Sequence, residues 1–120
     1  MKMLTKKQIT EIREHLEKAQ NPLFFFDNDN DGLMSFLLLQ RFIGRGKGVV
    51  VKGSHRFGEN YIRKVNELNP DYIFVLDIPA VEDDFFKEIS EKNIPVVWID
   101  HHNVDKPKNK EISYYNSFFG

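Results

Sequence analysis

Residues 23–32, LFFFDNDNDG, place an unbroken apolar run directly before a cluster of acidic and amide side chains. The run from Leu23 to Phe26 lacks polar alternation, which is the pattern of a parallel strand covered on both faces. Residues Asp27 to Asp31 follow it at once. This stretch therefore predicts a buried strand whose carboxyl end opens into an acidic loop.

The rest of the chain repeats this alternation of strands and helices. Thr5 and Gln8 have the spacing of a capping box, which predicts a helix at the N-terminus. Apolar periodicity predicts helices over Leu33 to Ile43, Glu59 to Leu68 and Glu82 to Lys92, and strands over Val49 to Val51, Tyr72 to Leu76, Val96 to Ile99 and Ile112 to Tyr115. The pattern predicts an α/β fold with an open, mainly parallel, doubly wound sheet of four to five strands and helices on both faces.

The helix over Leu33 to Ile43 is apolar almost all round, so we expect it to be buried against the sheet. Trp98 and most of the eleven Phe fall inside strand and helix patterns, so we expect them to form the core rather than to stack on nucleobases. The length of 120 residues predicts one domain, with an N-terminal helix over residues 1–20 and an αβ core over residues 21–120.

Composition limits the function. A net charge of -1 gives no general attraction to a polyanion, so any contact with nucleic acid must be local. The absence of cysteine excludes disulfides and thiolate metal sites. The N-terminus lacks the apolar segment of a signal peptide, and no run is long enough to span a membrane. We therefore expect a cytoplasmic protein without a membrane partner.

Acidic residues and histidines follow three of the predicted strands, as Asp27 to Asp31, as Asp77 and as Asp100 to His102. Ligands of open α/β sheets bind outside the carboxyl ends of the strands, so these side chains should converge. Converging carboxylates repel each other unless cations neutralise them. Mixed carboxylate and imidazole ligands suit manganese, and leave magnesium, iron, cobalt and zinc open. The sequence thus predicts a divalent metal site.

Two alternatives compete with this interpretation. Asp27 to Gly32 matches the opening of an EF-hand calcium loop, but Leu38 stands at the twelfth position, where a Glu is required, and a strand precedes the loop instead of a helix. The acidic loop could also be an ordinary polar turn that caps the next helix. The joint occurrence of acids or histidines at three strand ends favours the metal site.

Three motifs occur in a specific order: Phe26 to Gly32 contains D-x-D-x-D-G after the first strand, Val75 to Asp77 ends the third strand, and Ile99 to His102 contains D-H-H. In this order they resemble the DHH phosphoesterase superfamily, and within it the RecJ-like exonucleases. Arg56 to Tyr61 is similar to the R-x-x-E-x-Y segment of RecJ-like proteins, with Asn60 where a Gly is usual.

The resemblance implies roles for individual residues. It implies two divalent metal ions, Mn²⁺ preferred and Mg²⁺ possible, with Asp29 and Asp31 as ligands of separate ions, Asp77 as a bridging carboxylate and His101 as a further ligand. Asp27 either binds a metal or orients a ligand, His102 faces the substrate phosphate, and Asp100 orients its neighbours. Arg56 either contacts phosphate or forms an ion pair with Glu59.

The function implied is that of a metal-dependent exonuclease that cleaves phosphodiester bonds in single-stranded DNA or RNA during repair or replication. RecJ-like enzymes continue past the segment resembling Tyr115 to Gly120 to a fourth motif with another ligating Asp, and then to a strand-binding C-terminal domain. We therefore expect a partner chain or a C-terminal part to complete the site. Alternatives are a non-catalytic scaffold in a replication or repair complex, a small-nucleotide phosphodiesterase, and a pyrophosphatase or polyphosphatase.

Overall fold

The structure, a computed structural model, describes residues 4–52, 59–101 and 112–116. The helices are α1 (Lys6–Lys18), α2 (Asn30–Ile43), α3 (Glu59–Leu68) and α4 (Asp83–Glu91). The strands are β1 (Pro22–Asp27), β2 (Lys47–Val51), β3 (Tyr72–Leu76), β4 (Val96–Asp100) and β5 (Ser113–Asn116). The predicted order of elements is confirmed, and the boundaries after α1 agree to within three residues.

The described strands form one five-stranded sheet in the order β2-β1-β3-β4-β5, and every pair of neighbours is parallel. The connection from β1 to β2 runs to one side, and the later strands add on the other side of β1. The order therefore reverses between β1 and β3, which is where ligands bind in doubly wound sheets. The predicted parallel α/β fold is confirmed.

The two faces of the sheet carry separate cores. Alternate residues of β1 point to opposite faces, with Phe25 on one and Phe24 on the other. One core contains residues of α3 and α4, and the other contains residues of α1 together with the inner side of α2. Trp98 is buried, and its Nε1–H donates to the carbonyl of Ile78 at 2.8 Å, so the prediction that Trp98 is a core residue is confirmed.

Local signals explain how α1 begins. Thr5 Oγ1 accepts from the backbone N–H of Gln8 at 3.1 Å, and Gln8 Oε1 accepts from the backbone N–H of Thr5 at 2.8 Å. This is the predicted capping box. Ile12 and Leu16 then bury one side of the helix against the sheet.

The prediction that α2 is a buried helix is wrong. Gly32 is its only buried residue, whereas Met34 is 54% exposed, Leu38 is 63% exposed and Phe42 is 54% exposed. Phe36, Leu39 and Ile43 pack on the core of the sheet. A helix that is apolar all round can turn only one side towards a sheet, and within the described part of the chain α2 leaves its other side open.

Several predicted features lie outside the described residues, namely Arg56, His102 and the polar stretch from Asp105 to Glu111. Among the helices that the structure describes, none has both the length and the apolar character needed to cross a bilayer.

Candidate metal centre

The candidate centre lies where the carboxyl ends of β1, β3 and β4 stand side by side in the sheet. Asp27 ends β1, Asp77 follows β3, and Asp100 ends β4. The predicted convergence at one edge therefore occurs, because three neighbouring parallel strands all end in an acid.

One group of possible metal ligands contains Asp31, Asp77 and His101, each with a ligand atom within 4.8 Å of the others. Nε2 of His101 lies 2.5 Å from Oδ1 of Asp77 and 4.0 Å from Oδ2 of Asp31. Asp31 lies in the first turn of α2, and His101 directly follows β4. The three side chains therefore converge from α2 and from the ends of β3 and β4.

A second group contains Asp27, Asp29 and Asp77, again with ligand atoms within 4.8 Å of one another. Asp77 belongs to both groups. Asp29 and Asp31 thus fall in different groups around a shared carboxylate.

Asp77 differs from its neighbours in burial and in backbone conformation. Its side chain is 3% exposed, compared with 77% for Asp31 and 40% for His101. Its φ is 59°, in the left-handed region that residues with a Cβ rarely adopt, although Asp is among those that tolerate it best. The backbone N–H of Asp77 donates to the carbonyl of Ile99 at 2.9 Å, so strand pairing continues up to this residue.

Asp29 has two roles in the loop. It is the N-cap of α2, and its Oδ1 accepts from the backbone N–H of Gly32 at 2.7 Å. The alternative of a polar turn is therefore correct in that the loop caps the next helix. Oδ1 of Asp27 accepts from the backbone N–H of Asn28 at 2.8 Å, which further orders the loop. Helix capping and the clustering of carboxylates coexist here.

Gly32 permits this loop geometry. A Cβ at this position would lie 2.4 Å from the carbonyl oxygen of Asp27 and 2.9 Å from its nitrogen. The first turn of α2 therefore approaches the end of β1 more closely than any residue with a side chain would allow. The EF-hand alternative is excluded, because β1 precedes the loop and Leu38 lies within α2.

The donor set fits a divalent metal. Four carboxylates and one imidazole lie within reach of two positions that share Asp77. A buried carboxylate is costly unless a positive charge compensates it, and clustered carboxylates repel one another. Hard divalent cations prefer oxygen ligands and accept an imidazole among them. The acidic cluster could therefore bind metal.

The group of Asp31, Asp77 and His101 opens into a cleft of about 380 Å³. The residues lining it are Leu4, Asp31, Met34, Ser35, Leu38, Asp77, Ile99, Asp100 and His101. Of these, the apolar residues and Ser35 were not among the predicted site residues. A signal existed, because Met34, Ser35 and Leu38 are three, four and seven residues after Asp31 and so share its side of the helix.

Asp100 also lines the cleft but is buried, with 4% exposure. It pairs in register with Asn116 of β5, which is equally buried. The amide of Asn116 donates to the hydroxyl of Tyr114 at 2.7 Å. Asp100 lies outside both ligand groups, and Asn116 is a buried polar residue at this edge that was not among the predicted site residues.

No family model and no curated protein sequence matches the chain. The fold does match solved structures. A crystal structure of exonuclease RecJ bound to manganese matches with a TM-score of 0.72 and 17% identity, over 95% of this chain and 31% of that chain. RecJ from Thermus thermophilus, in complex with Mn²⁺, matches with a TM-score of 0.70 and 16% identity, over 99% of this chain and 18% of that chain.

An exopolyphosphatase-related protein from Bacteroides fragilis matches with a TM-score of 0.58 and 13% identity, over 97% of this chain and 40% of that chain. The chain thus spans less than half the length of each of these proteins. Its similarity to them extends over nearly its whole length and includes the sheet and the helices that surround the acidic cluster. The chain therefore has a RecJ-like α/β fold.

Proposed function

We propose that the chain is a RecJ-like, metal-dependent nuclease domain that hydrolyses phosphodiester bonds in single-stranded DNA or RNA. The observation that carries the proposal is the pair of ligand groups sharing buried Asp77 at the point where the strand order reverses. A polar turn that only caps a helix needs no buried carboxylate beside it, whereas Asp77 is buried and belongs to both groups.

The proposed ions are two divalent metals, with Mn²⁺ preferred. Asp27, Asp29 and Asp77 would hold one, and Asp31, Asp77 and His101 would hold the other. When bound, such a pair supplies Lewis-acid polarisation of the phosphoryl group and charge stabilisation for an in-line displacement. The manganese present in both matching RecJ structures supports this choice of ion.

The protein's part is to fix the ligands in place. Asp77 is held at the end of a paired strand and is shielded from water, so its carboxylate has little freedom. The capping bond restrains Asp29 in the same way. In this proposal Asp100 positions the neighbouring His101, while His102 and Arg56 contact the phosphate of the substrate. Restrained ligands favour reaction, because less reorganisation is needed at the transition state.

We also propose that further polypeptide, in a partner chain or a C-terminal part, completes the strand-binding surface. The matches cover only 31% and 18% of the two RecJ chains. Among the described residues that line the cleft there is no Lys or Arg, and the net charge is -1. A nucleic-acid strand needs cationic contacts along its backbone, so these would come from the additional part.

The proposal is tested with Asp77→Asn, which removes the shared negative charge while retaining the size and the turn preference of the residue. The control is Glu67→Gln, an exposed carboxylate on α3 that pairs with Lys64 at 3.7 Å. We expect Asp77→Asn to weaken manganese binding by more than about 100-fold, beyond the loss typical of residues that only orient a ligand. Glu67→Gln should bind like the wild type.

The measurements are calorimetric titration with Mn²⁺ and cleavage of a labelled single strand in the completed assembly. Asp77→Asn should abolish metal-stimulated cleavage, and Glu67→Gln should not. Unchanged cleavage in the Asp77→Asn assembly would contradict the catalytic proposal. A wild-type chain without saturable manganese binding would favour the alternative of a non-catalytic replication or repair scaffold.

A further inference from the structure

The cleft at the metal centre has two chemically different halves. Asp31, Asp77 and His101 form its polar end, and Leu4, Met34 and Leu38 form much of its apolar wall. Both halves meet on α2, because Asp31, Met34 and Leu38 share one side of that helix. With metal ions bound at the polar end, a ligand that fills the cleft would combine an anionic group with an apolar surface.

Leu4 packs against one core cluster, but the part of the apolar wall that lies on α2 belongs to no core cluster of the described residues. Met34 and Leu38 belong to neither core cluster of the described residues, whereas Phe36 and Leu39 on the same helix pack against the sheet. Exposing large apolar side chains beside a charged site is unfavourable in the free protein. A bound apolar group would remove that cost.

The charge of the cleft narrows the class of ligand. Among its described lining residues there is no Lys or Arg, so an inorganic polyphosphate would meet carboxylates and aliphatic side chains beyond the metal positions. A nucleotide carries a single phosphate next to a sugar and a base with two apolar faces. This combination matches the two halves of the cleft better than a continuous polyanion does.

Space is also available. The cleft of about 380 Å³ adjoins a second, largely apolar groove of about 260 Å³ between α1 and α2, and the two share Leu4, Ser35, Leu38 and Ile99. A ligand with its phosphate at the acidic end can therefore extend a planar ring along a continuous apolar surface.

We propose that Met34 and Leu38 form a base subsite, which contacts the nucleobase attached to the phosphate held at the metal centre. The inference rests on the proposed function, since it assumes that metal and phosphate bind at the acidic end. It assigns to this chain a preference for nucleotidic substrates over inorganic polyphosphate, and it makes α2 a determinant of specificity as well as a source of ligands.

The test uses two double variants. The cleft variant carries Met34→Gln and Leu38→Gln together, and the matched control carries Leu33→Gln and Leu37→Gln together. The control residues lie on the same helix and are also exposed, but they do not line the cleft. The probes, in the presence of Mn²⁺, are a nucleoside monophosphate, the same sugar phosphate without its base, and inorganic phosphate. Thermal unfolding of each variant establishes that it is folded.

We expect the wild type and the control to bind the nucleotide about tenfold more tightly than the sugar phosphate, because the base buries apolar surface on the wall. In the cleft variant this difference should disappear, while binding of inorganic phosphate stays unchanged. Wild-type binding of manganese and phosphate without any advantage for the base would overturn the subsite and leave the proposed function intact. Failure of the wild type to bind manganese or phosphate would instead overturn the proposed function, and the subsite with it.

Discussion

At the scale of single residues, the acids that end the strands were predictable to lie at one edge of the sheet. Asp27, Asp77 and Asp100 follow apolar runs directly, and parallel strands bring their carboxyl ends to one edge. The sequence could not reveal how differently the candidate ligands are buried. Asp77 is buried with a positive φ, whereas Asp31 is exposed on a helix, and these properties depend on neighbouring elements.

Gly32 gives a prediction at this scale. In Gly32→Ala the new methyl group would collide with backbone atoms of Asp27, which cannot move without disturbing β1. We expect a loss of about 3 kcal/mol in the free energy of unfolding, the upper end of the range for overpacking. Denaturant unfolding measures it.

Gly44→Ala is the control for this substitution. Gly44 has a φ of 70°, but a Cβ there would meet nothing within 4 Å, so only backbone strain opposes the change. The expected loss is about 1 kcal/mol. Equal losses at the two positions would show that the close approach of α2 to Asp27 contributes little.

At the scale of elements, the strands and helices were predictable but the environment of α2 was not. Periodicity tells which sides of a helix are apolar. A helix that is apolar on every side can be buried on all of them or on only one. Burial depends on what covers each side, and this requires the tertiary structure. The same gap explains why Met34 and Leu38 were missed as cleft residues, since their helical spacing places them on the side of Asp31 but does not tell whether that side is covered.

The first helix gives a prediction at this scale. Thr5→Ala removes the side-chain oxygen that accepts from the backbone N–H of Gln8. We expect a loss of about 1 kcal/mol in the free energy of unfolding, typical of an N-cap, measured by urea denaturation.

Thr10→Ala serves as the comparison for Thr5→Ala. The hydroxyl of Thr10 donates to the carbonyl of Lys6 at 2.9 Å within the helix, and it caps no free N–H. Alanine has the higher helix propensity, so this variant should be neutral or slightly more stable. A Thr5→Ala protein as stable as Thr10→Ala would argue against a contribution from the capping box.

At the scale of the whole molecule, the two ends of the parallel sheet carry different kinds of polar group. The carboxyl ends of the strands carry the acidic cluster, and the other end is tied together by polar contacts. Both carboxylate oxygens of Asp71 accept backbone N–H groups, from Gln20 at 2.8 Å and from Asn21 at 2.8 Å. The sequence predicted the sheet because the alternation of elements leaves few topologies, but these long-range contacts carry no local signature.

A histidine also joins α1 to this sheet. Nδ1 of His15 and the hydroxyl of Tyr72 share a hydrogen bond of 2.5 Å, and the ring of Tyr115 lies 6.4 Å away. Burial, aided by nearby Lys18, holds the pKa of His15 below its usual 6.5. Burial likewise raises the pKa of Tyr115 to about 12, with Glu11 contributing. Both groups therefore favour their neutral forms in the folded protein.

The lowered pKa of His15 predicts how stability depends on pH. The unfolded chain takes up a proton at His15 near pH 6.5, whereas the folded protein does so only at lower pH. Between the two pKa values the unfolded state binds more protons, so the free energy of unfolding is full above pH 6.5 and falls as the pH falls from 6.5 towards the lowered pKa. His15→Gln removes the titrating group, so its stability should change less between pH 7 and pH 5 than that of the wild type. Urea denaturation of both proteins in metal-free buffer across this range measures the difference, and parallel pH profiles would contradict the assignment.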